Sequence, residues 1–121
     1  MSDCLFCKIV EGSVPSTKVY EDDTIVAFLD IQPQAPVHLL VIPKKHIASM
    51  NDCGEEDQAM LGHLLLCARK IAKEAGLEES GYRLVNNNGV DAGQIVFHLH
   101  WHILGGEKLG SANAHSPTES A

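Results

Sequence analysis

The sequence predicts an α+β fold with a mostly antiparallel sheet, on three observations. The periodicities run short helix, strand pair, third strand, one long helix and two further strands, rather than a regular alternation of strand and helix. Neither GxGxxG nor GxxxxGK(S/T) is present, so the phosphate loops of doubly wound nucleotide folds do not apply. Residues 93–104, "GQIVFHLHWHIL", alternate polar and apolar side chains as a strand does.

The elements follow in order. A short helix is expected over residues 5–11, stopped by Gly12 and Pro15. "TKVYE" (17–21) and "TIVAFLD" (24–30) are rich in β-branched and aromatic residues and flank Asp22-Asp23, which predicts a hairpin. The prolines of "IQPQAP" break structure, and "VHLLVI" (37–42) reads as a buried strand closed by Pro43. Over residues 55–75, Met60, Leu61, Leu64, Leu65, Ala68, Ile71, Ala72 and Ala75 recur at the helical period. Asp52 with Glu55 resembles a capping box, and Gly76 suits the position after the helix. "YRLVN" (82–86) is a strand, "NNGVDAG" a turn, and residues 93–104 the last long strand.

The 121 residues suffice for one domain, expected over residues 1–110, with a polar, aperiodic and disordered tail over 111–121. A net charge of −7 argues against an unassisted grip on nucleic acid or on an anionic membrane. No apolar run reaches membrane-span length and no secretion signal opens the chain, so a cytoplasmic protein is expected. There thiols stay reduced, which makes the four cysteines candidate ligands or core residues rather than disulfides.

On the last strand Phe97, Leu99, Trp101 and Ile103 share an apolar face, expected to pack on the long helix. Gln94, His98, His100 and His102 share the other. One such histidine would read as an incidental solvent-facing residue. Three in register do not, since threonine, lysine or glutamate serve a solvent face better. A single three-histidine metal site is disfavoured, because His98 and His102 would lie about 13 Å apart on a straight strand, against metal–nitrogen bonds of about 2 Å. Nucleophilic and acid–base chemistry remains. Neutral imidazole attacks phosphorus near neutral pH without prior deprotonation, a second imidazole can assist the leaving group, and amides such as Gln94 and Asn87 can hold phosphate oxygens.

At "HLHWHIL" the chain resembles the histidine triad (HIT) superfamily, whose signature alternates three histidines with apolar residues. "FLDIQPQAPVHLLVIPKKHI" (28–47), "YRLVNN" and the Gly105-Gly106 pair extend the resemblance, toward the Hint branch, over roughly residues 3–110. The resemblance implies a homodimer with a joined antiparallel sheet. It also implies attack at the α-phosphate of purine nucleotides, releasing AMP or GMP from phosphoramidates or acyl adenylates through a nucleotidyl-histidine. Carried over by position, His100 is the nucleophile, His102 contacts the phosphate and assists the leaving group, and His38 supports the pair. Asn87 and Gln94 hold phosphate or ribose oxygens, Asp30 binds the ribose hydroxyls, and Phe28 with Ile31 lines the base pocket. Without the resemblance, Phe28 and Ile31 read as core, Asn87 as a turn former and Asp30 as a strand end. Ile95 stands where many Hint proteins carry a serine, and Trp101 replaces a smaller aliphatic residue.

Cys4 and Cys7 have C-x-x-C spacing, weak evidence by itself. Some HIT relatives, the galactose-1-phosphate uridylyltransferases among them, use a cysteine pair and two histidines at these places for a structural zinc. The resemblance thus implies a Cys4, Cys7, His46 and His98 site that does not catalyse. Cys53 and Cys67 have no assigned role, His63 reads as helix surface, and His115 lies in the tail. Two other functions stay open: a dinucleoside polyphosphate hydrolase and a non-catalytic nucleotide-binding dimer.

Overall fold

A computed structural model describes residues 3–111. Positions 112–121, which hold His115 and all but the first residue of the expected tail, lie outside the described residues. Helix α1 (Leu5–Glu11) begins at Cys4, whose Sγ accepts the Cys7 amide N–H at 3.4 Å. It ends at Gly12, where a φ of 87° lets the chain reverse. Strands β1 (Lys18–Glu21) and β2 (Ile25–Leu29) form the expected hairpin. Asp22 shapes its turn, with Oδ1 accepting the Thr24 and Ile25 amides at 2.8 Å each.

Strand β3 (Val37–Pro43), helix α2 (Gln58–Glu74), strand β4 (Tyr82–Val85) and strand β5 (Trp101–Gly105) complete the fold. The sheet runs β1-β2-β3-β5-β4, and every neighbouring pair is antiparallel. This is the α+β architecture the sequence predicts.

Both sheet faces are covered. Ile25, Ala27, Leu39, Val41 and Ile103 pack on the α2 stripe of Leu64, Ala68, Ile71 and Ala72. Val26, Phe28, Leu40 and Ile42 pack on Phe6 and Ile9 of α1. Alternation along β2 and β3 sends successive side chains to opposite layers, which is why residues 39–42 of β3 read as an unbroken apolar run.

Three local expectations are corrected. The long helix starts at Gln58, behind a 3₁₀ turn at Glu55–Asp57, and not at residue 55. Its entry is fixed by Asp57, whose carboxylate accepts the Gly54 amide at 2.9 Å, while Asp52 instead accepts the Ser49 hydroxyl at 3.0 Å. Leu65, 43 % exposed, falls outside the buried stripe.

The largest correction concerns residues 93–104. Only Trp101–Gly105 is strand. Val41 opposes Trp101, so continuation of the ladder would set Leu99 against Pro43, which has no N–H to give. The segment before it is held by other bonds, including Leu99 N–H to the Ile47 carbonyl at 2.6 Å. Phe97 consequently leaves the apolar face and is 44 % exposed. The histidine face is not exposed either: α1 covers it, and His98, His100 and His102 are all buried.

Candidate active site and metal-ligand cluster

The site lies in the α1-covered layer, where β3 and β5 run side by side. His38 on β3 and His102 on β5 meet across the sheet, with His38 Nε2 2.8 Å from His102 Nδ1. The Gln34 amide donates to His38 Nδ1 at 3.0 Å, so that nitrogen carries a lone pair and the proton of the neutral ring sits on Nε2. That N–H then donates to His102 Nδ1, with Asp30 Oδ2 also within 3.3 Å. His102 is thereby left with its own proton on Nε2, a buried atom with no hydrogen-bond partner among the described residues.

His100 is fixed in the complementary tautomer. Its Nδ1–H donates to the His98 carbonyl at 2.7 Å, which leaves the Nε2 lone pair free, and nothing among the described residues hydrogen-bonds it. The rings of His100 and His102 lie 5.1 Å apart. The edge of Phe6 meets His100 at 5.1 Å and 85° and confines its orientation.

Burial holds all four of these imidazoles below the ordinary histidine value. It pushes His102 down to about 3, aided by the neighbouring His100 and His38. In His38 the Asp30 carboxylate opposes the effect of burial. The hydrogen bond to the His98 carbonyl opposes it in His100, and the bond to the Pro43 carbonyl opposes it in His98. The site therefore presents neutral rings at neutral pH: one with an open lone pair, its neighbour with an open N–H.

The other expected residues are placed unevenly. Asp30 is adjacent to His38, and its Oδ1 accepts the Gln32 amide at 2.8 Å. Phe28 is buried against Phe6 in a wall of the layer, whereas Ile31 is 87 % exposed. Gln94 is not a free donor. Its amide gives hydrogen bonds to the Ala48 and Val96 carbonyls and accepts the Gly89 N–H, so it clamps the loop before β5. Asn87 is half-buried and makes no side-chain hydrogen bond among the described residues. Its neighbours do: Asn86 Nδ2 donates to the His100 carbonyl at 2.8 Å, and Asn88 donates to Asn86 at 2.6 Å. Sequence reasoning missed Asn86, because three consecutive asparagines give no local reason to prefer one.

Beside the triad, Cys4, Cys7, His46 and His98 each offer a donor atom, all within 4.8 Å of one another. The cap of α1 supplies Cys4, its first turn Cys7, the loop after β3 His46, and the segment before β5 His98. His46 Nδ1 lies 3.3 Å from His98 Nδ1 and 3.3 Å from Cys7 Sγ, while His98 Nδ1 lies 3.4 and 3.5 Å from the two sulfurs. A tetrahedral ion with ordinary zinc–sulfur and zinc–nitrogen bonds has ligand–ligand edges of roughly 3.3–3.8 Å, so these residues fit such an ion. His98 Nε2–H donates to the Pro43 carbonyl at 2.7 Å, which turns the Nδ1 lone pair toward the cluster.

The comparisons agree with this geometry. The model of the HIT domain family matches residues 11–109. A HIT-like protein of Synechococcus elongatus is 53 % identical over 107 residues, covering 88 % of this chain and 93 % of that protein. The purine nucleoside phosphoramidase of Escherichia coli K12 is 45 % identical over 113 residues, covering 93 % of this chain and 95 % of its own. The crystal structure of a HIT family hydrolase from Legionella pneumophila superposes with a TM-score of 0.90 at 51 % identity, covering 93 % of this chain and all of that one. The chain belongs to the HIT domain family and, by class, is a HIT-family hydrolase. No helix among the described residues is long and apolar enough to cross a membrane.

Proposed function

We propose that the protein hydrolyses purine nucleoside phosphoramidates and related adenylates through a covalent nucleotidyl-His100. The observation that carries this reading is the paired tautomers: His100 has an open Nε2 lone pair, and the adjacent His102 has an open Nε2–H. His100 attacks the α-phosphorus, the Nε2–P bond forms, and the P–N bond to the leaving group breaks. His102 Nε2–H donates into the phosphoryl group where negative charge builds. The departing nitrogen leaves as the amine, taking its proton from water. A second water then attacks phosphorus and gives its proton to the hydroxide left by the first; the Nε2–P bond breaks, which frees His100 and releases the nucleoside monophosphate. The 45 % identity to a purine nucleoside phosphoramidase supports the substrate class.

The test is AMP release from adenosine 5′-phosphoramidate. Turnover should fall by at least ~10³-fold in His100→Ala, in the range expected for loss of a nucleophile. Full turnover in that variant, or faster turnover of a diadenosine polyphosphate by the wild type, refutes the reading.

The same reading assigns a structural zinc to Cys4, Cys7, His46 and His98. When bound, the ion ties the N-terminal helix to the sheet, and four protein donors close its shell, so it has no open position for substrate. A homodimer is also part of the reading. β4 is an edge strand, and Leu84 on it and Leu66 on α2 are 38 % and 62 % exposed. Analytical ultracentrifugation at twice the monomer mass is the expected result.

A further inference from the structure

A second cluster of ligand-type side chains lies on the opposite face of the sheet. His63 and Cys67 are four residues apart on α2 and so share a face. Against them stands Asp22, from the β1–β2 turn, and its donor atom lies within 4.8 Å of both of theirs. We propose that Asp22, His63 and Cys67 form a second binding site for a zinc-class divalent cation, independent of the catalytic histidines and of the cysteine-pair cluster.

The geometry favours convergence on a point. Asp22 Oδ1 is consumed by the Thr24 and Ile25 amides, which aims Oδ2 at the helix. Cys67 Sγ lies 3.5 Å from His63 Nε2 and 3.9 Å from Asp22 Oδ2. The first distance matches the roughly 3.3–3.6 Å edges of a tetrahedral zinc with sulfur, nitrogen and oxygen ligands, and the second must close by about 0.3 Å. His63 Nε2 and Asp22 Oδ2 are now hydrogen-bonded at 2.6 Å and must separate by about 0.7 Å. The His63 side chain is 46 % exposed and free to withdraw by that amount. On binding, the Cys67 thiol gives up its proton and the His63 proton moves to Nδ1. Tyr20, whose hydroxyl donates to Asp22 Oδ2 at 2.6 Å, supplies an outer-shell bond that orients the carboxylate.

Two observations set this arrangement apart from a cysteine–histidine–aspartate nucleophile. A proton relay uses the two ring nitrogens for different partners, as in the serine triad. Here Nε2 is the nitrogen nearer Cys67, at 3.5 Å against 3.9 Å for Nδ1, and the same Nε2 faces Asp22. Cys67 is also only 5 % exposed, so a substrate cannot reach it. The mixed thiolate, imidazole and carboxylate set selects zinc-class ions over calcium or magnesium, and three protein ligands leave a fourth position for water.

The experiment uses the full chain, stripped of metal and dialysed against buffered zinc, with bound zinc counted by mass spectrometry. His63→Ala should bind one equivalent fewer than wild type at the same free zinc, with affinity at this site lowered by ~100-fold or more. His63 is at the surface, so this variant keeps the fold. In a Cys4→Ala/Cys7→Ala background, cobalt should still give a sulfur-to-cobalt charge-transfer band, and adding His63→Ala should abolish it. Equal zinc counts in wild type and His63→Ala, or no cobalt band in the double-alanine background, overturn the proposal. Neither readout depends on hydrolysis.

Discussion

His38 Nε2 stands 2.8 Å from His102 Nδ1, and the Gln34 amide on the far side of His38 fixes the direction of that hydrogen bond. A backbone N–H on β3's approach loop thus sets which nitrogen of a histidine on β5 carries a proton. His38→Ala leaves His102 free to hold its proton on either nitrogen. The expected outcome is a ~10–100-fold fall in kcat with KM little changed. His38→Gln, which retains an N–H donor, should recover part of the loss. An unchanged kcat in His38→Ala would show that the tautomer of His102 does not matter.

Asn86 acts through the backbone of His100 and touches no reacting atom. Asn86→Ala leaves the part-buried His100 carbonyl without this donor, at a stability cost of about 1–2 kcal/mol. The expected kinetic result is a several-fold drop in kcat with KM preserved. Steady-state kinetics and urea unfolding check the two halves. A variant that loses stability but keeps kcat would make Asn86 purely structural.

Burial of neutral histidines makes stability depend on pH in a definite direction. His38, His100 and His102 are all held below the value of about 6.5 that the unfolded chain has. Above that pH both states keep the rings neutral and stability is at its full value. As pH falls below it, the unfolded chain takes up protons that the folded chain refuses. Stability then declines until the folded values are reached, for His102 at about 3. At pH ~5.5 His102, with its folded value at about 3, costs roughly 1.4 kcal/mol, and His38 and His100 add to the loss in the same direction. The urea midpoint should therefore fall between pH ~7.5 and ~5.5, and equal midpoints would contradict the burial argument. The neutral nucleophile should also persist further into acid than a free imidazole, so any acid limb of kcat/KM that reports on His100 should have its midpoint below pH ~6.5.

If the proposed zinc occupies the Cys4, Cys7, His46 and His98 cluster, its removal should loosen α1, whose cap and first turn carry the two cysteines. Chelation is expected to lower the melting temperature and to speed hydrogen exchange in residues 5–11 more than in α2. Cys7→Ala should have the lower melting temperature from the start and respond less to chelator. Identical melting curves with and without chelator would remove the structural zinc from the account.

Gly106 has φ +94°, and a Cβ added there would meet Pro36 Cβ at 2.9 Å. Gly106→Ala therefore combines backbone strain with a clash against the loop that carries Gln34. A loss of ~1–3 kcal/mol is expected, and the displaced loop should also reduce kcat. Chemical denaturation measures the first effect and phosphoramidate turnover the second.

The sequence alone determined the α+β class, the hairpin around Asp22, the buried β3, the extent of α2 to within a few residues, and the family through its alternating histidines. These are local matters, set by periodicity, turn chemistry and motif. Tertiary structure decided the rest. That β5 begins only at Trp101 depends on Pro43, a residue far away in the chain that has no N–H to offer. That Gln94 clamps a loop and Asn86 positions His100 depends on which backbone groups the fold brings near them. His63 and Cys67 show a shared helix face in sequence, but their convergence on Asp22 exists only once β1 and α2 pack together. Protonation is the clearest case. An imidazole's tautomer is set by the hydrogen bond on its other nitrogen, and for His102 that partner lies 64 positions away. No local reading of the chain could supply it.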